Sequence, residues 1–188
     1  MRDTLGAIVN TFYIGCAMLI NITGTICIEE RAREWCKLPY PGHPKGCPNY
    51  GVAVDCPPKV CRVRDFIDLS MEHYFIVEAF DLSAHAKTMA AAHPDWSDKQ
   101  CKCCLYWQNG VRKRLRRQCY DFIKDHLDYV FTLIPEAMGV NVFRTAHRHG
   151  LMIRKNPSLV YKVALVGMAL NAAEVLTTAT NTQSTAQG

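Results

Sequence analysis

The chain has 188 residues, 49% of them hydrophobic, and a formal net charge of +5. That length suits a single domain and that apolar content is enough for a core, which excludes a globally disordered chain. The charge is modest and comes largely from one run, Arg112-Lys113-Arg114-Leu115-Arg116-Arg117, which excludes a chain-wide bias toward polyanions.

Ten cysteines stand out from this background. Disulfide-dense domains are usually shorter, because bridges replace a core they cannot build. The N-terminus carries neither a basic n-region nor an Ala-x-Ala site. A cytoplasmic setting with metal-bound thiols is therefore expected, rather than a secreted disulfide scaffold.

Leu5 to Ile22 is apolar but interrupted by Asn10, Thr11, Gly15 and Asn21. It is marginal for a spanning helix, so a buried strand or helix and no membrane partner are expected. Met18 could also be a natural start. Residues 1–18 are read as an extension or first element, 19–170 as one cysteine-rich metal-binding domain, and 177–188 as a disordered tail of Thr, Ser, Gln and Gly.

Residues 19–27 alternate β-branched side chains and predict a strand. A short helix then runs from Ile28 to Trp35, acids first and bases later, and ends at Cys36. From Pro39 to Pro58, repeated Pro and Gly break every period. An irregular segment of that length inside a compact chain is usually functional. His73 to Phe80 predicts a strand, and Asp81 or Ser83 caps a helix over Ala84 to Ala92. Ser97 opens a helix or helix pair that carries the basic run to about His126. Tyr129 to Ile134 is strand-like, Pro135 opens a helix to His149 that Gly150 closes, and Tyr161 to Leu170 is a last strand. The pattern predicts an α+β or α/β fold: a small mixed sheet flanked by helices, with a long cysteine/proline loop at a metal site.

In that loop stand Cys36, Cys47 and Cys56, separated by ten and eight residues. Converging thiolates select iron–sulfur clusters, zinc or Cu(I). Structural zinc favours closely spaced pairs on tight turns, so these wide gaps suit a loop wrapped around a larger inorganic core. Glycines let backbone N–H groups approach such a core, and prolines after Cys47 and Cys56 fix the chain's exit. A fourth ligand is expected from Cys101-Lys102-Cys103-Cys104: Cys104 first, because it precedes Tyr106-Trp107, and Cys101 next. Cys61 is a spare. Cys103 and Cys119 read as buried thiols, as do Cys16 and Cys27 in their apolar surroundings. His43 lies inside the loop, where a loop-shaping role outweighs ligation. His147 and His149 suit a helix end, and His85 and His93 a surface. Glu136 is a carboxylate that could reach the metal. The basic run beside Tyr106 and Trp107 fits a solvated helix face, a nucleic acid or an acidic redox partner. No Walker-A loop, dinucleotide fingerprint, zinc-protease motif or nucleophile elbow is present.

Cys36, then His43-Pro-Lys-Gly-Cys47-Pro-Asn-Tyr-Gly51, then Cys56-Pro-Pro58, with the later cysteine group and Pro135 to Ala146, resemble an uncharacterised, cysteine-rich "predicted metal-binding protein" family of bacteria and archaea. The His43 to Gly51 core is similar to that of small phage-encoded proteins, which would place the chain in a host cytoplasm. The resemblance spans roughly residues 19–170. It implies a metal centre, in particular one [4Fe-4S] cluster, for which Cys36, Cys47, Cys56 and, from the residue reading above, Cys104 are the expected ligands. The wider family spaces its second cysteine group more regularly than Cys101, Cys103 and Cys104. Three functions are then expected in order: a redox or electron-transfer module, an enzyme with an open iron site for desulfuration or dehydration, and a nucleic-acid-binding protein with a structural cluster or zinc.

Overall fold

The computed structural model describes residues 11–14, 17–39, 43–153 and 158–170, with side chains from residue 18 onward. Its centre is a five-stranded sheet in the order β1-β2-β3-β5-β4. The strands are β1 Thr11–Ile14, β2 Ala17–Asn21, β3 His73–Asp81, β4 Tyr129–Thr132 and β5 Leu159–Met168. The α+β expectation holds, but every strand pair is antiparallel, so the sheet is not of mixed direction. The helices follow from this: α1 Leu82–Ala92, the one-turn α2 Asp98–Cys101 and α3 Gln108–Ile123 all lie between β3 and β4. They do not serve as crossovers between parallel neighbours.

Side chains alternate across the sheet, as strand geometry requires. Ile20, Phe75, Val77 and Leu165 face one way and Leu19, Ile76, Ala164 and Val166 the other. The second face is covered by α3 through Leu115, Cys119 and Phe122. The first is covered by Val63, Ile67, Met138, Val140, Val142 and Ala146, which belong to the exit of the cysteine loop and to α4, Val142–Arg148. The sheet thus separates the basic helix from the body of the loop, and the two meet only around its β4 edge.

Three expected elements are interrupted. The strand expected over 19–27 stops at Asn21, whose side chain accepts from the Thr23 N–H and turns the chain. The helix expected from Ile28 to end at Cys36 is a 3-10 helix, Glu30–Lys37, which starts later and runs one residue past Cys36. The helix expected from Pro135 breaks after a 3-10 turn, Pro135–Met138, because Gly139 is left-handed at φ 91°, and restarts as α4. Asp81 and Ser97 cap α1 and α2 as the pattern required, the latter with the reciprocal Gln100 box. The 177–188 tail, Cys16 and the start of the apolar Leu5 to Ile22 stretch lie outside the described residues. Among the described residues no helix is long and apolar enough to cross a membrane.

One buried titratable group lies at the sheet's centre. His73 is fully buried, donates from Nδ1 to the Met71 carbonyl at 2.8 Å, and leaves Nε2 without a partner. Its cross-strand neighbour is Gly167, where a Cβ would come within 3.1 Å of the His73 Cβ and 3.0 Å of Ile67 Cδ1. The missing side chain makes room for the imidazole. Burial holds the ring below its ordinary value of 6.5, so the folded state keeps it neutral. Below pH 6.5 the unfolded chain binds a proton that the folded chain refuses, so stability is lost as pH falls through that value. The slope attributable to His73 is at most about 1.4 kcal/mol per pH unit. Urea titrations from pH 7 to 5 should show His73→Asn, whose amide can still donate to Met71, with a flatter acid-side slope than the parent.

Candidate functional site

The loop is held by main-chain contacts that the sequence motif explains. The Cys47 N–H donates to the Cys36 carbonyl at 2.7 Å, which draws the first two cysteines together across the intervening residues. Gly46 makes this approach possible. Its φ is 84°, and a Cβ there would lie 2.5 Å from the Cys36 carbonyl oxygen. The chain then winds through short turns: Tyr50 N–H to Cys47, Cys56 N–H to Ala53 and Val60 N–H to Cys56, with Gly51 N–H closing on Pro57 at 2.7 Å. Cys36, Cys47 and Cys56 are all partly exposed.

Arg33 joins this loop to the helix that carries Cys36. It is 9% exposed, and its guanidinium donates to the carbonyls of Cys61 at 3.1 Å, Pro58 at 3.2 Å and Val60 at 2.9 Å. A proline-rich segment has carbonyls but few N–H groups, so it cannot satisfy itself with a ladder. A planar fork of donors on the facing helix meets that need.

The second motif, Pro135 to Ala146, is the platform beneath Cys36. Ile28 bridges Val140, and Glu29 N–H donates to Gly139 O at 2.8 Å. Asn141 caps α4 by accepting from Arg144 N–H, donates its amide to Glu29 Oε2 at 2.7 Å, and its own N–H reaches Cys27 O at 2.8 Å. Thr145 Oγ1 accepts from the Cys27 N–H at 2.9 Å, and Trp35 packs edge-on against Phe143 at 6.4 Å. The start of the Cys36 helix is thus fixed on four residues of one motif.

The electrostatics bring the separate segments into one region. The Cys36 thiol is pushed up first by burial, then by the Cys47 and Cys56 thiols, and then by Glu136 and Glu34. Cys56 is pushed up by burial, Asp55 and Cys47, and pulled down by Arg112 of α3. Glu136 is itself raised by burial, with Lys162 opposing. Lys162 on β5 is lowered by burial and by Arg112, against the pull of Glu136 and Cys104. The Cys47 and Cys56 thiols thus act on Cys36, and Cys104 acts on Lys162. This happens where β4 has ended: β5 pairs with β3 along its length but with β4 only from Leu165 to Met168. The open flank of β5 beside Lys162 is the floor on which loop, edge and helix converge.

The remaining residues sort plainly. Cys104 is exposed in the 3-10 turn Cys104–Tyr106. Cys101 is 2% exposed and turned toward α1, in a hollow with Ala86, Lys87 and Trp96, away from the loop. Cys119 and Cys27 are buried, and burial pushes the Cys119 thiol up to about 12. Cys103 is half-buried and Cys61 exposed. Tyr106 and Trp107 stack elsewhere, on Trp96 at 5.1 Å and Phe80 at 4.9 Å. His149 bonds Thr25 Oγ1 at 2.7 Å, His147 is exposed, His85 packs on Phe80 and His93 stacks on Trp96, while His43 shapes the loop by accepting from the Gly46 N–H. Arg33 and Lys162 are the site residues that motif reading passed over, and Arg112 enters it only as part of the basic run.

Among the described residues no group of three or more His, Cys, Asp or Glu is drawn in tightly enough to hold a single metal ion. Zn–S bonds of about 2.3 Å demand such closeness. A cluster core, which places its own iron and sulfide between the thiolates, asks for a wider set. Three partly exposed cysteines on one clamped loop are soft donors whose chemistry suits iron, zinc or Cu(I) alike.

Replacing Arg33 by Gln strips three buried carbonyls of their donor and should cost about 3 kcal/mol in urea unfolding. Arg33→Lys restores charge but not the fork, and should recover less than half of that loss. Gly46→Ala forces a side chain into the Cys36 carbonyl, and faster alkylation of Cys47 in the native protein should report the opened clamp.

No family model matches the chain, and neither the curated proteins nor the solved structures contain a match to it.

Proposed function

We propose that the loop holds one [4Fe-4S] cluster on Cys36, Cys47 and Cys56, with Cys104 as the fourth ligand, and that the protein is a cytoplasmic electron-transfer module. The observation that carries this reading is a loop with three partly exposed cysteines, fixed by the three carbonyls that Arg33 gathers and by the Cys36–Cys47 clamp. It agrees with the resemblance to the metal-binding family and its phage-encoded members. When bound, the cluster supplies a one-electron centre.

The chain's own residues do the rest. Gly46 lets the backbone pass close to the thiols, and Arg33 keeps the loop from relaxing away. Arg112 and Lys162 place positive charge beside a thiolate-ligated core, which favours its reduced, more negative state. On α3, Arg114 is engaged with Glu78 at 2.6 Å, whereas Lys113 and Arg117 are exposed. They offer a docking face for an acidic redox partner. A nucleic acid on the same face would announce itself by affinity that falls steeply with salt.

One observation favours a second reading, an enzyme with an open iron site. Cys104 is exposed on a different element from the loop cysteines, and a cleft lined by Asp55 and Cys61 lies beside the loop. Three cysteines would then bind the core, leaving one iron to act as a Lewis acid.

Anaerobic purification should give a brown protein absorbing near about 400 nm, with about four iron and four sulfide per chain. Cys36→Ser, Cys47→Ser and Cys56→Ser should each lose that absorbance, and Cys101→Ser should keep it. Loss in Cys104→Ser supports full cysteine ligation and electron transfer, whereas retention supports the open site. Stoichiometric zinc without sulfide on the same three cysteines would replace the cluster reading with a zinc one.

A further inference from the structure

A cleft of about 420 Å³ lies between the cysteine loop, α3 and the β4 edge. Its two long walls carry opposite charge. Arg112 and Arg116, one turn apart on α3, form one wall, and Asp55 with Cys61 forms the other. Both arginines are exposed, and among the described residues neither is engaged in a salt bridge or hydrogen bond. Their neighbour Arg114 is engaged with Glu78. Two unengaged guanidinium groups at this spacing can grip a single phosphoryl group with charge-assisted bonds.

The α3 wall continues to Tyr120, a turn beyond Arg116, whose ring meets Phe131 edge-to-face at 5.1 Å and 87°. Between the walls the lining is largely apolar, with Phe66 and Phe131 beside Val60, Leu133, Ile134 and Met138. Tyr120 is 57% exposed, which leaves ring surface open to stacking. The volume lies within the range of small-ligand sites, about 300–1,000 Å³. A ligand that satisfies all three surfaces has an anionic end, a flat ring and an amino edge to donate to the Asp55 carboxylate.

We propose that this cleft binds a nucleoside monophosphate, its phosphate on Arg112 and Arg116, its base on Tyr120 and an exocyclic amine toward Asp55. The inference stands on the cleft alone and holds whether or not the loop cysteines carry a cluster. Because Arg112 also acts on Cys56, a bound phosphate would compete for the charge that faces the thiols.

Calorimetric titration of the purified full chain with adenosine 5′-monophosphate tests it. Saturable one-to-one binding is expected, with adenosine alone and inorganic phosphate alone each at least about tenfold weaker. Arg112→Gln/Arg116→Gln should weaken binding by about tenfold or more, whereas Lys113→Gln/Arg117→Gln, which removes the same charge outside the cleft, should change it less than about twofold. Tyr120→Ala should weaken the nucleotide but not inorganic phosphate. All these positions are exposed, and circular dichroism verifies that each variant is folded. Equal losses in the two double variants, phosphate binding as tightly as the nucleotide, or no saturation at millimolar nucleotide would each overturn the proposal. So would a short deoxyadenylate oligomer that binds more than about tenfold tighter, since that points to a strand on the helix and not a nucleotide in the cleft.

Discussion

The guanidinium of Arg33 is the contact on which the site's geometry depends. The proline-rich segment from Pro57 to Cys61 presents carbonyls that no strand or helix can satisfy, and Arg33 gathers three of them from within the protein. Because Arg33 and Cys36 lie in the same short 3-10 helix, this single side chain fixes the loop's exit relative to its first cysteine. The Cys47-to-Cys36 bond fixes its middle. A long irregular segment is thereby held without secondary structure of its own, and the entropy lost in ordering it is offset by charge-assisted bonds and not by apolar burial. Val52 and Val54, exposed at the loop's far turn, show how little core the segment contributes.

The fold supplies what the loop lacks. An antiparallel sheet with one helix on its second face leaves the other face to be covered by irregular chain, and the Pro135 to Ala146 motif does so with a 3-10 turn, a left-handed glycine and a short capped helix. Those same residues receive Cys27, Ile28 and Glu29 by backbone pairing. The motif's chemistry is therefore positional: it sets where the Cys36 helix begins. Its one carboxylate at the site, Glu136, arrives there because the turn follows directly on the end of β4.

Much of this was readable from residue pattern, and the gaps have physical causes. Asp81 and Ser97 were legible as caps because capping is local, and β3 and β5 because their apolar alternation is long. The directions of the strands were not legible, since alternating helices and strands suggest crossovers until the pairing partner of each strand is known. The break at Gly139 was hidden because Pro135 and Gly150 frame a plausible single helix, and a lone glycine within it is tolerated by propensity alone. Cys36, Cys47 and Cys56 stood out by spacing, whereas Arg33 and Lys162 did not, and Arg112 stood out only as one charge of the basic run. Their roles come from the third dimension, where β5 has no β4 partner before Leu165 and α3 passes over the same edge. A signal for Arg33 did exist: a proline-rich loop announces unsatisfied carbonyls, and an arginine on the adjoining helix is the natural donor.

Burial sets the ionisable groups around this edge against their charged forms. Cys36 is raised first by burial, then by the Cys47 and Cys56 thiols and by Glu136 and Glu34, so its deprotonated form is disfavoured. Lys162 is disfavoured in its charged form first by burial and then by Arg112, with Glu136 and Cys104 opposing. Neither group has a complementary ion pair among the described residues, although Glu136 stands between them. The cost stays small while the thiols keep their protons, because a neutral thiol carries no charge that must be matched. Iron or another soft metal on the sulfurs would remove the thiolate repulsion and leave a compact anion, which the flanking arginine and lysine would then stabilise. Spacing and electrostatics here concern the same three cysteines, and what the third dimension adds to them is the positive charge of Arg112 and Lys162.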